Sequence, residues 1–346
     1  MISTTEKAPA KLNLTLDVTG KRPDGYHLLR TVMQTVSLYD ELSFAREEQE
    51  GIRLTCDRAD LPLDSGNLAY RAADVLFQKF DLPGGIRIDL KKKIPAAAGL
   101  AGGSTDAAAV LRAMNRLYGL GLTTETLCQL ALPLGADIPY CVRGGTCLCE
   151  GIGEVMTPLA ELKGLPVLLV KPAFDLSTAY IYRELSLPSV PQEAHPKTEE
   201  ILAGLDAIRR KTCSAAQASN TGALSTDTSA RPTDTSALVA HTGARPTDTA
   251  TLATDLGALL TASGGNLLEL PALKAHPELQ DLKQALRNGG AVYSAMTGSG
   301  SCVFGIFETT EAAEACRRNL PVLYSGEIES AFTAETLGTA ENTLHA

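Results

Sequence analysis

The chain has no uninterrupted apolar run of membrane-spanning length, and its first residues, MISTTEKAPAK, carry no apolar signal core. The expected location is the cytoplasm. Positive charge is in deficit: 31 Lys and Arg against 40 Asp and Glu leave a net charge of −9. An acidic chain of this kind is not built to lie on nucleic acid or on an anionic membrane. Metal-site spacing is missing as well. The one close cysteine pair, Cys147 and Cys149, has no second pair or nearby histidine to complete a zinc site, so no residue is assigned to a metal. The eight cysteines read instead as small core hydrophobes in a reducing compartment. Two common phosphate signatures are absent too. No Gly-Lys-Ser/Thr follows a glycine loop, and Gly99, Gly102 and Gly103 miss the G-x-G-x-x-G spacing.

What is present is the stretch IPAAAGLAGGSTDAAAVL, residues 94–111. A strand-like run (Ile86, Ile88, Leu90) precedes it and an alanine-rich helical run follows. A loop of small residues lets backbone N–H groups approach an anion, and the helix adds its positive N-terminal end. Ser104 or Thr105 is the expected N-cap, with Asp106 in the first turn where a carboxylate suits the dipole. The competing reading is a tight strand-to-helix turn. The dense basic run Lys91-Lys92-Lys93 is expected to be a solvated strand end.

A length of 346 residues suggests two domains of roughly 150 each, taken as 1–160 and 161–346. Alternation at Leu12, Leu14, Leu16 and Val18, then at Val32, Val36 and Leu38, predicts two strands joined by a turn at 20–25. Helical spacing is seen at 67–80, 105–118, 124–134, 178–187, 198–210 and 276–287, with strands at 166–172 and 291–307 and a last helix and strand. The fold class is α+β with two lobes. Residues 212–262 stand apart: they hold no aromatic residue, and ARPTDTSAL at 230–238 recurs as ARPTDTATL at 244–252. Such composition predicts a disordered insertion that is dispensable for stability and activity.

Three further clusters carry polar groups in small-residue surroundings: Lys7-Ala8-Pro9-Ala10-Lys11-Leu12-Asn13-Leu14, Gly135-Ala136-Asp137-Ile138-Pro139, and Thr297-Gly298-Ser299-Gly300-Ser301. In this order, PAKLNLTL, PAAAGLAGGST, GADIPY and TGSGSCVF resemble the motifs of the GHMP kinases, small-molecule ATP phosphotransferases. The resemblance runs from Lys7 to about residue 335 and is interrupted at 212–262. KRPDGYHLLRTVMQTVSLYDEL narrows it to the members that phosphorylate a hydroxyl of a cytidine-diphosphate sugar alcohol in isoprenoid precursor synthesis.

The resemblance implies a two-lobed kinase using ATP, with Mg2+ carried mainly on the ATP phosphates and a small molecule as the other partner. It implies that Asp137 is the catalytic base and Lys11 its partner. The ATP site would be the loop Pro95-Ala96-Ala97-Ala98-Gly99-Leu100-Ala101-Gly102-Gly103-Ser104-Thr105, with Asn67 bordering the adenine. Tyr26 would stack on cytosine, His27 would read its polar edge, Tyr182 would close over it, and Asn13 and Thr178 would be polar substrate contacts. Homoserine, mevalonate or a sugar is the alternative substrate for such a fold, but none carries a base for Gly25-Tyr26-His27 to hold. A non-catalytic nucleotide-binding protein is a third reading, to which a Lys11–Asp137 pair would be of no use.

Two departures are visible. The related loop commonly reads PMGGGLGGGSS, whereas Ala96, Ala97, Ala98 and Ala101 stand here. N–H donors survive that change, but a position needing positive φ resists it. Asn266-Leu267-Leu268-Glu269 lacks the acid usually found after the asparagine, a change peripheral to the chemistry.

Overall fold

The computed structural model describes residues 2–221 and 249–339, leaving aside the side chains of 212–221. Two long strands come first, β1 (Ser3–Lys21) and β2 (His27–Glu47), paired antiparallel across a turn in which Arg22 N–H donates to the Tyr26 carbonyl at 2.7 Å. Then follow β3 (Gly51–Cys56), α1 (Leu68–Phe80), β4 (Gly85–Lys91), α2 (Gly102–Leu117), α3 (Thr124–Ala131), α4 (Ile138–Arg143), β5 (Thr146–Gly151) and β6 (Val155–Pro158). The rest comprises β7 (Pro166–Pro172), α5 (Thr178–Glu184), α6 (Thr198–Thr221), α7 (Thr249–Ser263), β8 (Gly265–Asn266), α8 (Glu269–Ala275), α9 (Glu278–Asn288), β9 (Tyr293–Met296), β10 (Val303–Ile306), α10 (Thr310–Leu323) and β11 (Ile328–Glu335). Among the described residues no helix is long and apolar enough to cross a membrane.

One sheet has the order β3-β4-β2-β1-β8, and β2 is long enough to change partners along its length: residues 29–34 pair with β5 and 41–47 with β4. The second sheet, β11-β7-β10-β9, is antiparallel throughout. Although β8 comes late in the chain, it pairs in parallel with β1 (Thr15 with Gly265, Leu16 with Asn266), so the first sheet carries a strand from each half.

Period-two alternation in β1 sends Leu12, Leu14, Leu16 and Val18 to one face, and all are buried. The opposite face carries Lys11, Asn13, Thr15 and Asp17, and none of these is more than 7% exposed. A strand covered on both sides with polar groups on one of them must find partners for those groups. That polar face holds the site.

The expectation for 212–262 needs correction. Helix α6 continues through 212–221, and 249–263 forms α7, so only 222–248 of that stretch, with most of the ARPTDT repeats, falls outside the described residues. The averaged composition hid an apolar stripe: Leu252, Leu256 and Leu260 recur four apart, the period of one helix face, and join a buried core with Leu169 and Phe304. Leu259 of α7 packs so close to Gly204 of α6 that a Cβ on Gly204 would meet it at 2.5 Å. At the base of this helical pair, Lys197 N–H donates to the Ser263 carbonyl at 2.8 Å.

Leu256→Ala should therefore destabilise the protein by about 2–5 kcal/mol, the usual cost of a buried leucine. Urea denaturation checks this, and an unchanged midpoint would return α7 to the dispensable segment.

Candidate active site

A cleft of about 1070 Å³ opens along the polar face of β1. It gathers residues from distant stretches of the chain, among them Lys11, Tyr26, Asn67, Gly99, Asp137 and Tyr182. Lys11 lies at its floor with only 5% of its side chain exposed. The ammonium donates to Asn13 Oδ1 at 2.6 Å and to the Gly99 carbonyl at 2.9 Å, and Asp137 Oδ2 lies 3.8 Å away. Asp137 precedes α4 at the N-cap position but caps nothing with its side chain, which is 35% exposed and free to face an incoming group. Asn13 is fixed from three sides: its side chain accepts from Lys11 and donates to Thr31 Oγ1 at 2.8 Å, and its N–H donates to Thr297 Oγ1 at 3.0 Å.

The loop before α2 differs in detail from the sequence expectation. Neither Ser104 nor Thr105 is the N-cap. Ala101 is, in the left-handed conformation (φ 60°) and without a side-chain cap. Thr105 is turned inward and donates to the Pro9 carbonyl at 2.8 Å, while Ser104, in the first turn of the helix, lines the cleft. Ala97 also has positive φ, at 47°, so two alanines occupy backbone positions that suit glycine. Gly99 is needed for a further reason: a Cβ there would lie 2.1 Å from the Thr297 carbonyl. The loops 95–105 and 297–301 thus meet backbone to backbone, with Ser301 and Cys302 N–H donating to the Ala97 and Ala98 carbonyls at 3.3 Å each. Neighbouring Asn266 donates to the Met296 and Gly298 carbonyls, and Leu267, where the related motif has an acid, is buried in the core.

The basic run is not a solvated strand end as a whole. Lys91 is exposed and Lys93 pairs with Glu41, but Lys92 turns inward, 9% exposed, onto the fully buried Asp40 and onto Asp106. Burial pushes the Asp106 carboxyl well above its ordinary range, against the pull of Lys92 and with a push from Asp40. The three residues of this cluster come from β2, the position just after β4, and α2. No motif joins them, so the sequence offered no signal for the cluster beyond an acid 14 residues after a lysine.

Tyr26, which also lines the cleft, stands 57% exposed. His27 stacks on Tyr182 with ring centroids 4.8 Å apart. Burial, and then the nearby Lys21, lower the His27 pKa from its ordinary value, so the imidazole is neutral at pH 7. Thr178 begins α5 and shares a 2.7 Å hydrogen bond with Ser299. Asn67 caps α1 by accepting from Ala69 N–H at 2.9 Å, and it too lines the cleft. Every residue assigned a catalytic, ATP-binding or substrate-binding role from the sequence, except Thr105, lines this one cleft. Sequence reasoning missed the stretch with Arg58, Leu61 and Pro62, which has no periodicity to mark it.

Family models for the GHMP kinases N terminal domain and the GHMP kinases C terminal region match residues 67–145 and 250–325. The 4-diphosphocytidyl-2-C-methyl-D-erythritol kinase of Clostridium botulinum is 36% identical over 318 residues, spanning 92% of this chain and 96% of its own. This chain belongs to that kinase family. The enzyme of the same name from Acetivibrio thermocellus is also 36% identical, over 90% of this chain and 93% of its own. A crystal structure of 4-(cytidine 5'-diphospho)-2C-methyl-D-erythritol kinase superposes with a TM-score of 0.70 at 30% identity, covering 97% of this chain and all of the other. Homoserine kinase from Cytophaga hutchinsonii shares the fold at a TM-score of 0.64 and 19% identity. The C-terminal match begins at the second residue of α7, in keeping with that helix being part of the kinase body.

Because left-handed backbone strains alanine and not glycine, Ala101→Gly in this kinase should stabilise it by about 0.5–1 kcal/mol. Ala98→Gly, buried and without positive φ, should destabilise it by a similar amount. Equilibrium denaturation of the two variants checks the contrast, and two shifts of the same sign would contradict the strain at residue 101.

Proposed function

We propose that this kinase transfers the γ-phosphoryl group of ATP to the 2-hydroxyl of 4-diphosphocytidyl-2-C-methyl-D-erythritol, with Asp137 as the base. The observation that supports this most is the position of the Lys11–Asp137 pair. Lys11 of the pair holds the Gly99 carbonyl of the small-residue loop, and both residues line one cleft with Tyr26, His27 and Tyr182. Phosphoryl transfer asks for in-line placement, neutralisation of charge, and a group to take the hydroxyl proton. Asp137 is exposed enough to accept that proton, and the buried Lys11 side chain, 3.8 Å away, is placed to offset the negative charge that builds on the transferred group.

The loop 95–105 receives the ATP phosphates on its N–H groups and on the positive end of α2, and Asn67 borders the adenine. Among the described residues no three His, Cys, Asp or Glu side chains gather as a metal cage. A Mg2+ ion would be borne on the nucleotide's own phosphates, where it would supply charge neutralisation. Cytosine stacks on Tyr26, whose exposed ring stands open to it, while neutral His27 offers one donor and one acceptor to the base edge and Tyr182 backs the imidazole. Asn13 and Thr178 give polar contacts to the sugar alcohol.

An ADP-release assay with the cytidine-diphosphate substrate beside homoserine and mevalonate tests the substrate. Comparable turnover of either untagged alcohol would refute the cytosine site. Asp137→Asn should lower kcat by roughly 10²–10⁴ while leaving both substrate affinities nearly unchanged. A variant with near wild-type kcat would remove Asp137 from the base role. Tyr26→Ala should raise the KM of the cytidine substrate by an amount equal to about 1–3 kcal/mol, with the ATP KM unmoved. Since His27 is already neutral, that KM should be flat around neutral pH and rise only in acid, where the imidazole takes a proton. Steady-state kinetics across pH reads both effects.

A further inference from the structure

The cluster beneath the loop is built in a way that folding alone does not explain. Lys92 Nζ donates to Asp106 Oδ2 at 2.7 Å and to Asp40, and Asp40 also accepts the N–H groups of Lys93 and Ile94 at 2.5 and 2.9 Å. The ammonium lies 3.3 Å from the point where a Cβ on Gly102 would stand, against the first residue of α2. A cation at the positive end of a helix is electrostatically misplaced, and burying it adds a desolvation cost. Two carboxyl groups are recruited to hold it there, one of them with an oxygen, Asp106 Oδ1, that has no partner. Yet Lys92 is one of the residues that line the cleft beside Gly102 and Gly103, with 9% of its side chain exposed. The arrangement suits a polyanion that docks on the helix end and is met by both positive charges at once.

We propose that Lys92 is a phosphate-binding residue of the ATP site, held in place by Asp40 and Asp106 as positioning residues. The proposal rests on the loop 95–105 as the seat of the nucleotide phosphates. Lys11 then supplies the cation at the reacting end and Lys92 the cation at the start of α2, so the phosphate chain runs between two fixed ammonium groups. Asp40 ties the chain entering the loop, and Asp106 ties the helix leaving it, to the same nitrogen.

The test is calorimetric titration of ADP and of adenosine into wild type, Lys92→Gln, Lys92→Arg and the double variant Lys92→Gln/Asp106→Asn. The double variant removes the ammonium and its second carboxyl together and leaves Asp40 with two backbone donors, so a folded protein is available even where Lys92→Gln alone is too unstable. Loss of a charge-assisted contact should weaken ADP about tenfold or more, with adenosine changed less than about twofold and Lys92→Arg recovering most of the loss. Kinetics should show a raised ATP KM with kcat and the cytidine-substrate KM held. Equal weakening of ADP and adenosine would make the cluster a structural brace only, and unchanged ADP affinity would remove Lys92 from the site; either overturns the proposal. Wild-type protein binding ADP no more tightly than adenosine would instead overturn the phosphate-loop reading beneath it.

Discussion

The Lys11 ammonium must be satisfied for the rest of this architecture to hold. It is buried on β1, and a buried ammonium without partners is costly enough to prevent folding. Its partners come from three places: Asn13 on the same strand, the Gly99 carbonyl in the loop before α2, and Asp137 at the start of α4. Lys11 N–H also donates to the Leu100 carbonyl at 3.2 Å, so backbone and side chain grip the same loop. The loop, the strand and the acid are thereby held in one geometry before any ligand arrives. The fold and the shape of the cleft depend on the same nitrogen.

A second constraint is close approach. The loops 95–105 and 297–301 come from distant parts of the chain and touch through main-chain atoms, which leaves no room for a Cβ at Gly99. The second loop is in turn held by Asn266 of the short strand β8, which completes the sheet next to β1. The part of the cleft formed by these loops is therefore main chain in close contact. Another part is made of side chains from a turn and a short helix, with Tyr26 exposed. The two parts differ in chemistry.

Much of this was legible in the sequence because it rests on local signals. Alternation at Leu12 to Val18 located β1, helical spacing located α1 to α3, and 166–172 coincided with β7. Ordered motifs placed Lys11, Asp137, Tyr26 and His27 on one cleft. What was not legible depends on contacts between distant residues. Composition averaged over 212–262 concealed Leu252, Leu256 and Leu260, because a stripe on one helix face is diluted by the threonines and alanines of the other. The inward turn of Lys92 is decided by Asp40, 52 residues away, and a run of three lysines gives no hint of it. The N-cap at Ala101 was missed because capping rules favour Ser and Thr, whereas here the hydroxyl of Thr105 is used to tie the helix to β1.

The hydrogen bond between Lys197 and Ser263 closes the helical pair α6–α7 at its base, and the pair packs on itself through Gly204 and Leu259. A hairpin tied at its neck transmits neither the length nor the tension of whatever it carries at its distal end. Loop-closure entropy adds only about 0.6 kcal/mol per doubling of length, and that cost falls above the neck and not on the cleft. The enzyme thus has a handle built into its chain. A tether, a fused reporter or a surface attachment placed between the two helices would enter the fold through this tied pair, whose α7 is anchored in the core by Leu252, Leu256 and Leu260.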